Sequence, residues 1–262
     1  MRLRCFSTRF LPRHNPTSVI VIAKNRDVTA QHDMRGDVAV LVPAAGLGLR
    51  LGPGGPKALR LLAGEPLLIH AIRRVASAPS VGCVVVAAPS DDVAFVVSLL
   101  TPISAVPTCE IIVVAGGGIR QESVALALAA VPARFEIILV HDAARALAPV
   151  ALVEAVAAQV RDGRDAVIPA LPVVDTIKEV GVAGTVVGTV DRSVLWSVQT
   201  PQGFRRATLA AAHAGTADEH TDDAGMVEKL GVPVHVVAGD ELAFKITRPM
   251  DLIIAEALLA RS

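Results

Sequence analysis

Apolar and polar residues follow one another along the chain in blocks that predict strands and helices in turn. Short uninterrupted apolar runs alternate with longer stretches whose apolar positions recur every three or four residues. The predicted strands cover 38–42, 81–88, 110–115, 136–140 and 166–170, and the predicted helices cover 67–76, 91–100, 123–131 and 150–160. Strands that are apolar on both faces and separated by helices are typical of a parallel sheet covered by helices on each side.

The pattern of apolar and polar positions changes between 173 and 198, where apolar and polar residues alternate one by one. Two such runs, 176–180 and 185–190, are joined through Gly181 and Gly184, which predicts a β-hairpin. We expect it to project as an arm and to act as a dimerisation element, because its strands are half apolar. The α/β pattern then returns through 203–214 and 223–230, a strand at 234–238 and a last helix after Pro249.

The first 36 residues show no helical or strand period. They carry seven basic and two acidic residues, a net charge of +5. We expect a disordered extension, or a start assigned too early with Met34 as the alternative first residue. An arginine-rich, acid-poor segment also resembles an organellar transit peptide, which is the other interpretation. The chain therefore divides into an extension, 1–36, and one α/β domain, 37–262.

The composition of the chain argues against two classes of protein, those that span a membrane and those that bind nucleic acid. Hydrophobic residues make up 52% of the 262 positions, but no apolar run reaches the roughly 18–20 residues that a membrane span needs. The 25 basic and 25 acidic residues balance, which argues against a nucleic-acid-binding surface. The three cysteines, at 5, 83 and 109, have no metal-binding spacing and fit a reducing compartment, which we take to be a bacterial cytoplasm.

A glycine-rich loop follows the first predicted strand. The sequence PAAGLGLR at 43–50, with Lys57 shortly after it, places two cations beside a backbone that can approach a polyanion closely. The loop is not a P-loop, because Ala58 stands where a Ser or Thr would hold Mg²⁺. It is not a dinucleotide fingerprint either, because Leu51 stands where a third glycine is required. Arg50 and Lys57 favour triphosphate chemistry, as in a nucleotidyltransferase.

Further polar residues follow the ends of other predicted strands, where parallel sheets bind ligands. The turn Gly116–Gly118 gives close backbone access suited to a base, and Ser123 either bonds that base or caps the next helix. Asp142 is placed to touch a hydroxyl or a hydrated Mg²⁺, and Arg145 to hold a phosphate.

Three other residues have a structural interpretation beside a functional one. His141, at a strand end, is typical of a buried structural histidine, and Arg120 of a local salt-bridge partner. Lys245 lies between two apolar residues in a predicted strand at 244–247, where it either reaches solvent or orients an anionic acceptor.

Taken together, these segments resemble the 2-C-methyl-D-erythritol 4-phosphate cytidylyltransferase family from about 38 to 259. The matching motifs are PAAGxGxR at 43–50, PK at 56–57, the glycine turn at 116–118, HDAAR at 141–145, DTIK at 175–178, TVDR at 189–192, QTPQ at 199–202, TDDA at 221–224 and FKITRPMDL at 244–252. The resemblance implies a Rossmann-like nucleotidyltransferase fold, a three-layer α/β sandwich with a mostly parallel sheet and a projecting β-hairpin arm. It also implies CMP transfer from CTP to a polyol phosphate in isoprenoid biosynthesis, by a homodimer joined through the arm.

The family's residue roles carry over to the matching positions. Catalysis would use two cations at the α-phosphate, Arg50 and Lys57, and two that position the acceptor, Arg192 and Lys245. The nucleotide would contact Pro43, Ala44, Ala45, Gly46, Gly48, Gly117, Ser123, Asp142 and Ala143. The acceptor would also contact Arg145, Thr176 and Thr221. Mg²⁺ or another divalent cation would be held mainly by phosphates, with Asp142 as the candidate protein group.

Three positions depart from the family pattern. Gly118 stands where a polar residue can touch the ribose, Ala58 replaces a glutamine, and Gly225 replaces serine or alanine. Two alternatives stay open at this point: a cytidylyltransferase for another polyol phosphate such as ribitol 5-phosphate, and a non-catalytic nucleotide-binding regulator on the same fold. Retention of all four catalytic cations favours an enzyme.

Overall fold

A computed structural model describes residues 19–22, 36–46, 51, 55–103, 109–215 and 222–261. The strands within them are β1 (Ile20–Ile22), β2 (Val38–Pro43), β3 (Leu61–Leu62), β4 (Glu65–Pro66), β5 (Val81–Ala88), β6 (Glu110–Ala115), β7 (Ile137–Val140), β8 (Ala166–Pro172), β9 (Ile177–Val180), β10 (Val186–Val190), β11 (Trp196–Val198), β12 (Gln202–Arg205) and β13 (Val234–Ala238). The helices are α1 (Leu67–Ala76), α2 (Val93–Leu100), α3 (Arg120–Ala129), α4 (Val150–Arg161), α5 (Arg206–Gly215), α6 (Asp223–Lys229) and α7 (Pro249–Leu259).

The fold is built on one large sheet. Among the described residues it has nine strands, in the order β1-β6-β5-β2-β7-β12-β8-β11, and β13 pairs with β8 as well. The pairs β2–β5, β2–β7, β5–β6 and β8–β13 are parallel, whereas β1, β11 and β12 run antiparallel to their neighbours. The predicted mostly parallel α/β sheet is therefore confirmed.

Helices cover both faces because successive strand residues point to opposite sides. On β2, Val38, Val40 and Val42 pack in a cluster with residues of α1, α2 and α4. Ala39 and Leu41 pack on the other face with residues of α3, α5 and α6. The three layers of the predicted sandwich are thus helix, sheet and helix. No helix in the described part of the chain is long and apolar enough to cross a membrane.

The elements β1, β12 and α3 differ from the predictions. Residues 20–22 form β1 on β6, so the expectation of disorder is wrong there, because a β-branched run pairs with an open sheet edge. The segment 202–205 forms β12 before α5 begins. α3 begins at Arg120, three residues before the predicted start, because Ile119 has the extended backbone of an N-cap.

The arm is a small antiparallel sheet of its own. Strands β9 and β10 pair with each other, and Lys178 lies opposite Thr189, so the predicted hairpin is confirmed. Its apolar side chains face outward, with Val180 55% and Val187 65% exposed. The C-terminal part of the predicted arm differs, because β11 leaves the hairpin and pairs with β8 of the main sheet.

Candidate functional site

A cavity of about 220 Å³ lies at the carboxyl ends of β2, β6 and β7. Its wall combines backbone from two turns, small apolar side chains and four ionisable side chains. The lining residues are Pro43, Ala44, Ala45, Gly46, Lys57, Ala58, Gly117, Gly118, Ile119, Arg120, Ser123, Asp142, Ala143, Ala144 and Lys245. The structure therefore brings together every predicted nucleotide-binding residue that it describes, while Gly48 lies outside the described residues.

Two glycines of the turn after β6, Gly116 and Gly117, leave no room for a side chain. A Cβ on Gly116 would lie 2.7 Å from the Cβ of Ala45, and one on Gly117 would lie 2.3 Å from the Cβ of Glu122. The Gly117 N–H donates to the Ser123 hydroxyl at 3.1 Å, which fixes the turn against α3. The turn therefore presents its backbone to the cavity without a side chain in the way.

Ser123 is buried and does not cap its helix. The N-cap of α3 is Ile119, so the capping interpretation of Ser123 is wrong. The Ser123 hydroxyl donates to the Ile119 carbonyl at 3.1 Å and accepts the Gly117 N–H. It ties the glycine turn to the first turn of α3, and its contact with a base stays a prediction.

Lys57 reaches the cavity because a backbone hydrogen bond joins it to the first part of the glycine loop. The Lys57 backbone N–H donates to the Gly46 carbonyl at 3.1 Å, so the residues on either side of the loop lie next to each other. A 3₁₀ turn at Lys57–Leu59 follows, and its buried Ala58 packs into the core. Arg50, the second cation predicted for the α-phosphate, lies outside the described residues.

Asp142 supplies the one carboxylate among the lining residues, and it holds Lys245. The Lys245 Nζ lies 2.7 Å from the Asp142 Oδ2. The Ile246 N–H donates to the Ala144 carbonyl at 2.9 Å, which fixes the backbone around Lys245 beside the end of β7. This backbone is not a strand, contrary to the prediction, because it bonds to a loop carbonyl after a 3₁₀ turn at Glu241–Ala243.

Arg120 lies between two carboxylates. Its Nε lies 3.4 Å from the Asp142 Oδ1 and its Nη1 lies 2.8 Å from the Asp223 Oδ2. Arg120 is therefore a salt-bridge partner as predicted, but its partners are distant in the sequence and not local. Burial raises the pKa of Asp142, but Arg120 and Lys245 outweigh it and hold that pKa well below its ordinary value. Burial lowers the pKa of Arg120, but the two carboxylates outweigh it and raise that pKa above its ordinary value. This part of the wall is therefore charged at neutral pH and suited to holding anions.

Two residues of the HDAAR motif face the protein interior. His141 is fully buried, its Nδ1 lies 3.2 Å from the Thr200 hydroxyl, and burial lowers its pKa to about 4, which fits the structural interpretation. Arg145 donates to the Ala243 carbonyl at 2.6 Å and to the Val198 carbonyl at 3.0 Å. Its guanidinium is engaged by two backbone carbonyls, and its contact with the acceptor stays a prediction.

The arm residues do not reach this cavity within one chain. Neither Thr176 nor Arg192 is among the lining residues. Arg192 Nη1 instead donates to the Val174 carbonyl within the arm. Thr221, the third predicted acceptor contact, lies outside the described residues.

Sequence reasoning missed two residues behind the cavity, Asp223 and His213. Asp223 contacts Arg120, and its place in the TDDA motif was the available signal. His213 Nε2 lies 3.1 Å from the Asp223 Oδ1. The sequence holds no signal for that contact, because it depends on how α5 packs against α6.

Comparisons with known proteins agree with this geometry. A family model described as "IspD: 2-C-methyl-D-erythritol 4-phosphate cytidylyltransferase" matches residues 38–261. The 2-C-methyl-D-erythritol 4-phosphate cytidylyltransferase of Streptomyces coelicolor is 54% identical over 229 residues, which cover 85% of each chain. That of Nocardia farcinica is 51% identical over 229 residues, which cover 87% of this chain and 96% of the relative.

Solved structures of similar proteins share the fold. A crystal structure of 2-C-methyl-D-erythritol 4-phosphate cytidylyltransferase from Thermus thermophilus aligns with a TM-score of 0.68 and 36% identity, over 86% of this chain and 99% of that one. A crystal structure of 4-diphosphocytidyl-2C-methyl-D-erythritol synthase from Anaerococcus prevotii aligns with a TM-score of 0.73 and 26% identity, over 87% of this chain and 100% of that one.

Proposed function

The chain belongs to the IspD family of 2-C-methyl-D-erythritol 4-phosphate cytidylyltransferases, and we propose from this premise how its residues perform the family's reaction. It transfers CMP from CTP to 2-C-methyl-D-erythritol 4-phosphate, giving 4-diphosphocytidyl-2-C-methyl-D-erythritol and pyrophosphate in isoprenoid precursor biosynthesis. An oxygen of the acceptor phosphate attacks the α-phosphorus of CTP. A new P–O bond forms while the bond from that phosphorus to the β-bridging oxygen breaks, and pyrophosphate leaves.

The observation that carries the residue assignment is the convergence of Lys57 and Lys245 on one cavity lined by glycine turns. We assign the turns after β2 and β6 to the nucleotide. Lys57, together with Arg50, neutralises the charge that develops on the α-phosphate and the leaving pyrophosphate. Lys245 holds the acceptor phosphate. The acceptor is already an anion, so the reaction needs alignment and charge neutralisation more than a general base.

A divalent cation, Mg²⁺ in our proposal, fits the residues present if phosphates supply most of its ligands. The described residues contain no cluster of three or more His, Cys, Asp or Glu side chains that could hold a metal ion. Asp142 is the carboxylate at the cavity, and its two oxygens already face Lys245 and Arg120. When bound, the cation would supply further charge neutralisation at the phosphates.

We further propose that the enzyme is a homodimer in which the arm of one chain completes the site of the other. Two features support this. A two-stranded sheet with exposed apolar side chains is marginally stable alone, and Val180 and Val187 need a partner surface. Arg192 and Thr176 lie outside the cavity of their own chain, although the family assigns them to the acceptor.

A cytoplasmic location fits the free, buried thiols of Cys83 and Cys109.

The test is pyrophosphate release from CTP with a panel of polyol phosphates, with and without Mg²⁺. We expect turnover with 2-C-methyl-D-erythritol 4-phosphate, dependence on the cation, and little turnover with ribitol 5-phosphate. Efficient turnover of ribitol 5-phosphate alone would overturn the acceptor assignment. Full activity in a chelator would overturn the cation proposal.

A further inference from the structure

A row of polar and charged side chains runs from the cavity wall into the interior. It begins at Lys245 and Asp142, continues through Arg120 to Asp223, and ends at His213 on α5. The Asp223 side chain is completely buried and that of His213 is 6% exposed. Neither residue lines the cavity, so neither can touch a substrate there. Their effect on the reaction must therefore pass through Arg120.

The hydrogen-bond chemistry of this row fixes the role of His213. Its Nε2 lies 3.1 Å from the Asp223 Oδ1, so this nitrogen must carry the hydrogen that faces the carboxylate. Within the described part of the chain, its buried Nδ1 has no hydrogen-bond partner. Burying a nitrogen without a partner costs stability, which an apolar side chain at this position would avoid. The contact with Asp223 is what a histidine provides here and an apolar residue cannot.

The two carboxylates share one guanidinium. Arg120 lies 2.8 Å from Asp223 and 3.4 Å from Asp142, so the Asp223 carboxylate is the nearer one. Asp142 in turn lies closer to Lys245, at 2.7 Å, than to Arg120. Loss of the Asp223 charge would leave Arg120 with Asp142 as its counter-ion. The Asp142 carboxylate would then be drawn toward Arg120 and away from Lys245.

We propose that Asp223, held by His213, is a positioning residue that keeps Arg120 partly withdrawn from Asp142, so that Asp142 can orient Lys245 toward the acceptor phosphate. This inference rests on the proposed role of Lys245 and deepens it. It predicts that changes at residues 213 and 223 act mainly on the acceptor and only slightly on CTP binding, because Asp142 is the one assigned nucleotide-binding residue that belongs to the row.

Asp223→Asn tests the charge. We expect the KM for 2-C-methyl-D-erythritol 4-phosphate to rise about tenfold, the loss that follows when a hydrogen bond to a charged group is disturbed. The dissociation constant for CTP, measured by calorimetry without acceptor, should stay within about twofold. Asp37→Asn removes a carboxylate from an exposed pair with Arg161 and serves as the matched control. A folded Asp223→Asn variant with the unchanged KM would overturn the proposal.

His213 gives a second, independent pair of variants should Asp223→Asn fold poorly. Gln keeps an N–H donor that can reach Asp223, whereas Leu keeps the bulk and removes the donor. We expect His213→Leu to raise the acceptor KM and His213→Gln to restore most of the wild-type value. Equal effects of the two variants on KM, with equal thermal stability, would show that His213 only fills space and would overturn the proposal.

A double-mutant cycle separates this inference from the assignment on which it rests. Lys245→Ala alone must lower kcat/KM for the acceptor if Lys245 holds the acceptor phosphate. Asp223→Asn should add little in the Lys245→Ala background, because its effect acts through Lys245. Additive losses would overturn the positioning role while the role of Lys245 stands. No effect of Lys245→Ala would instead overturn the assignment of Lys245.

Discussion

The cavity wall and the arm carry cations with the same proposed task, yet they hold them in different ways. Lys245 lies 2.7 Å from a carboxylate that is itself held by Arg120, in a wall fixed by loop hydrogen bonds. Arg192 donates to the carbonyl of Val174 on its own exposed hairpin. In our proposal, one half of the acceptor site is therefore preorganised within the chain, and the other half is completed by the arm of a second chain.

This difference predicts different kinetic consequences. A group of the wall that faces the α-phosphate, as proposed for Lys57, stabilises the developing charge without reorganisation, so its loss lowers kcat. A side chain on the exposed arm is held less firmly before the substrate arrives and must be ordered when the substrate binds, so its loss appears mainly in KM. The predictions below test this contrast, in order of expected effect.

The largest effect should follow from Lys57→Ala in the cavity wall. If Lys57 neutralises charge in the transition state, kcat should fall by about 10²–10³, equivalent to about 2.7–4 kcal/mol, with a smaller change in KM. Steady-state pyrophosphate release measures both constants. Lys178→Ala, which removes a lysine from the arm opposite Thr189, is the matched control and should leave kcat near wild type. A Lys57→Ala variant that changes only KM would contradict preorganisation of the wall.

His141 allows a test of how rigidly the wall is buried. Burial lowers its pKa from the ordinary 6.5 to about 4, so the unfolded chain binds a proton that the folded chain excludes. Stability is then full above about pH 6.5 and falls as pH decreases toward 4, by about 3 kcal/mol over the whole window. Urea unfolding between pH 7.5 and 4.5 measures the slope.

His141→Gln should flatten that pH dependence, although Gln can lower stability at pH 7.5. His235→Gln, on the exposed edge strand β13, is the control for loss of a histidine. An unchanged slope in His141→Gln would mean that the His141 ring becomes hydrated or protonated in the folded protein.

The sequence predicted the wall better than the row behind it, for a physical reason. Apolar strands, glycine turns and cations follow local rules, so local patterns suffice to place β2, β6 and the residues at their ends. The contacts of Arg120 with Asp142 and Asp223 join residues 22 and 103 positions apart, and no local pattern encodes them. The hairpin was likewise predictable from alternation, but the return of β11 to β8 was not, because it depends on an open position beside β8.

Arg192→Ala should act on the acceptor from the arm. We expect its KM for the acceptor to rise about 10- to 100-fold, the range for losing a hydrogen bond to a charged group, with CTP binding nearly unchanged. A fall in kcat equal to that of Lys57→Ala would contradict the proposed kinetic difference between the cavity wall and the arm.

Mixing the two variants, at an acceptor concentration where each alone is impaired, tests the same comparison further. If the arm crosses a dimer, a heterodimer of Lys57→Ala and Arg192→Ala subunits has one site with both defects and one with neither. Activity should then recover toward half of the wild-type value per heterodimer. Subunit exchange must be shown separately, for example by differently tagged chains. Exchange without recovery would rule out the crossed arm.

The smallest effect should come from removing β1. A chain that begins at Met34 lacks Ile20–Ile22 and exposes the edge of β6, where Ile111 and Val113 pair in the intact protein. The strand has three residues, and Ile20 and Val21 are 37% and 47% exposed, so hydrogen bonds and burial gain little over the ordering entropy. We expect full activity and a loss of at most about 1 kcal/mol, or about 2–4 °C in Tm. Val21→Pro in the full chain, which disrupts the same ladder, should give the same activity and the same loss of stability.

An open edge also favours pairing between chains, so the shorter chain should associate more at high concentration, as measured by light scattering. Lost activity at unchanged stability would instead place the extension at the active site, and a much larger drop in Tm would make β1 part of the core.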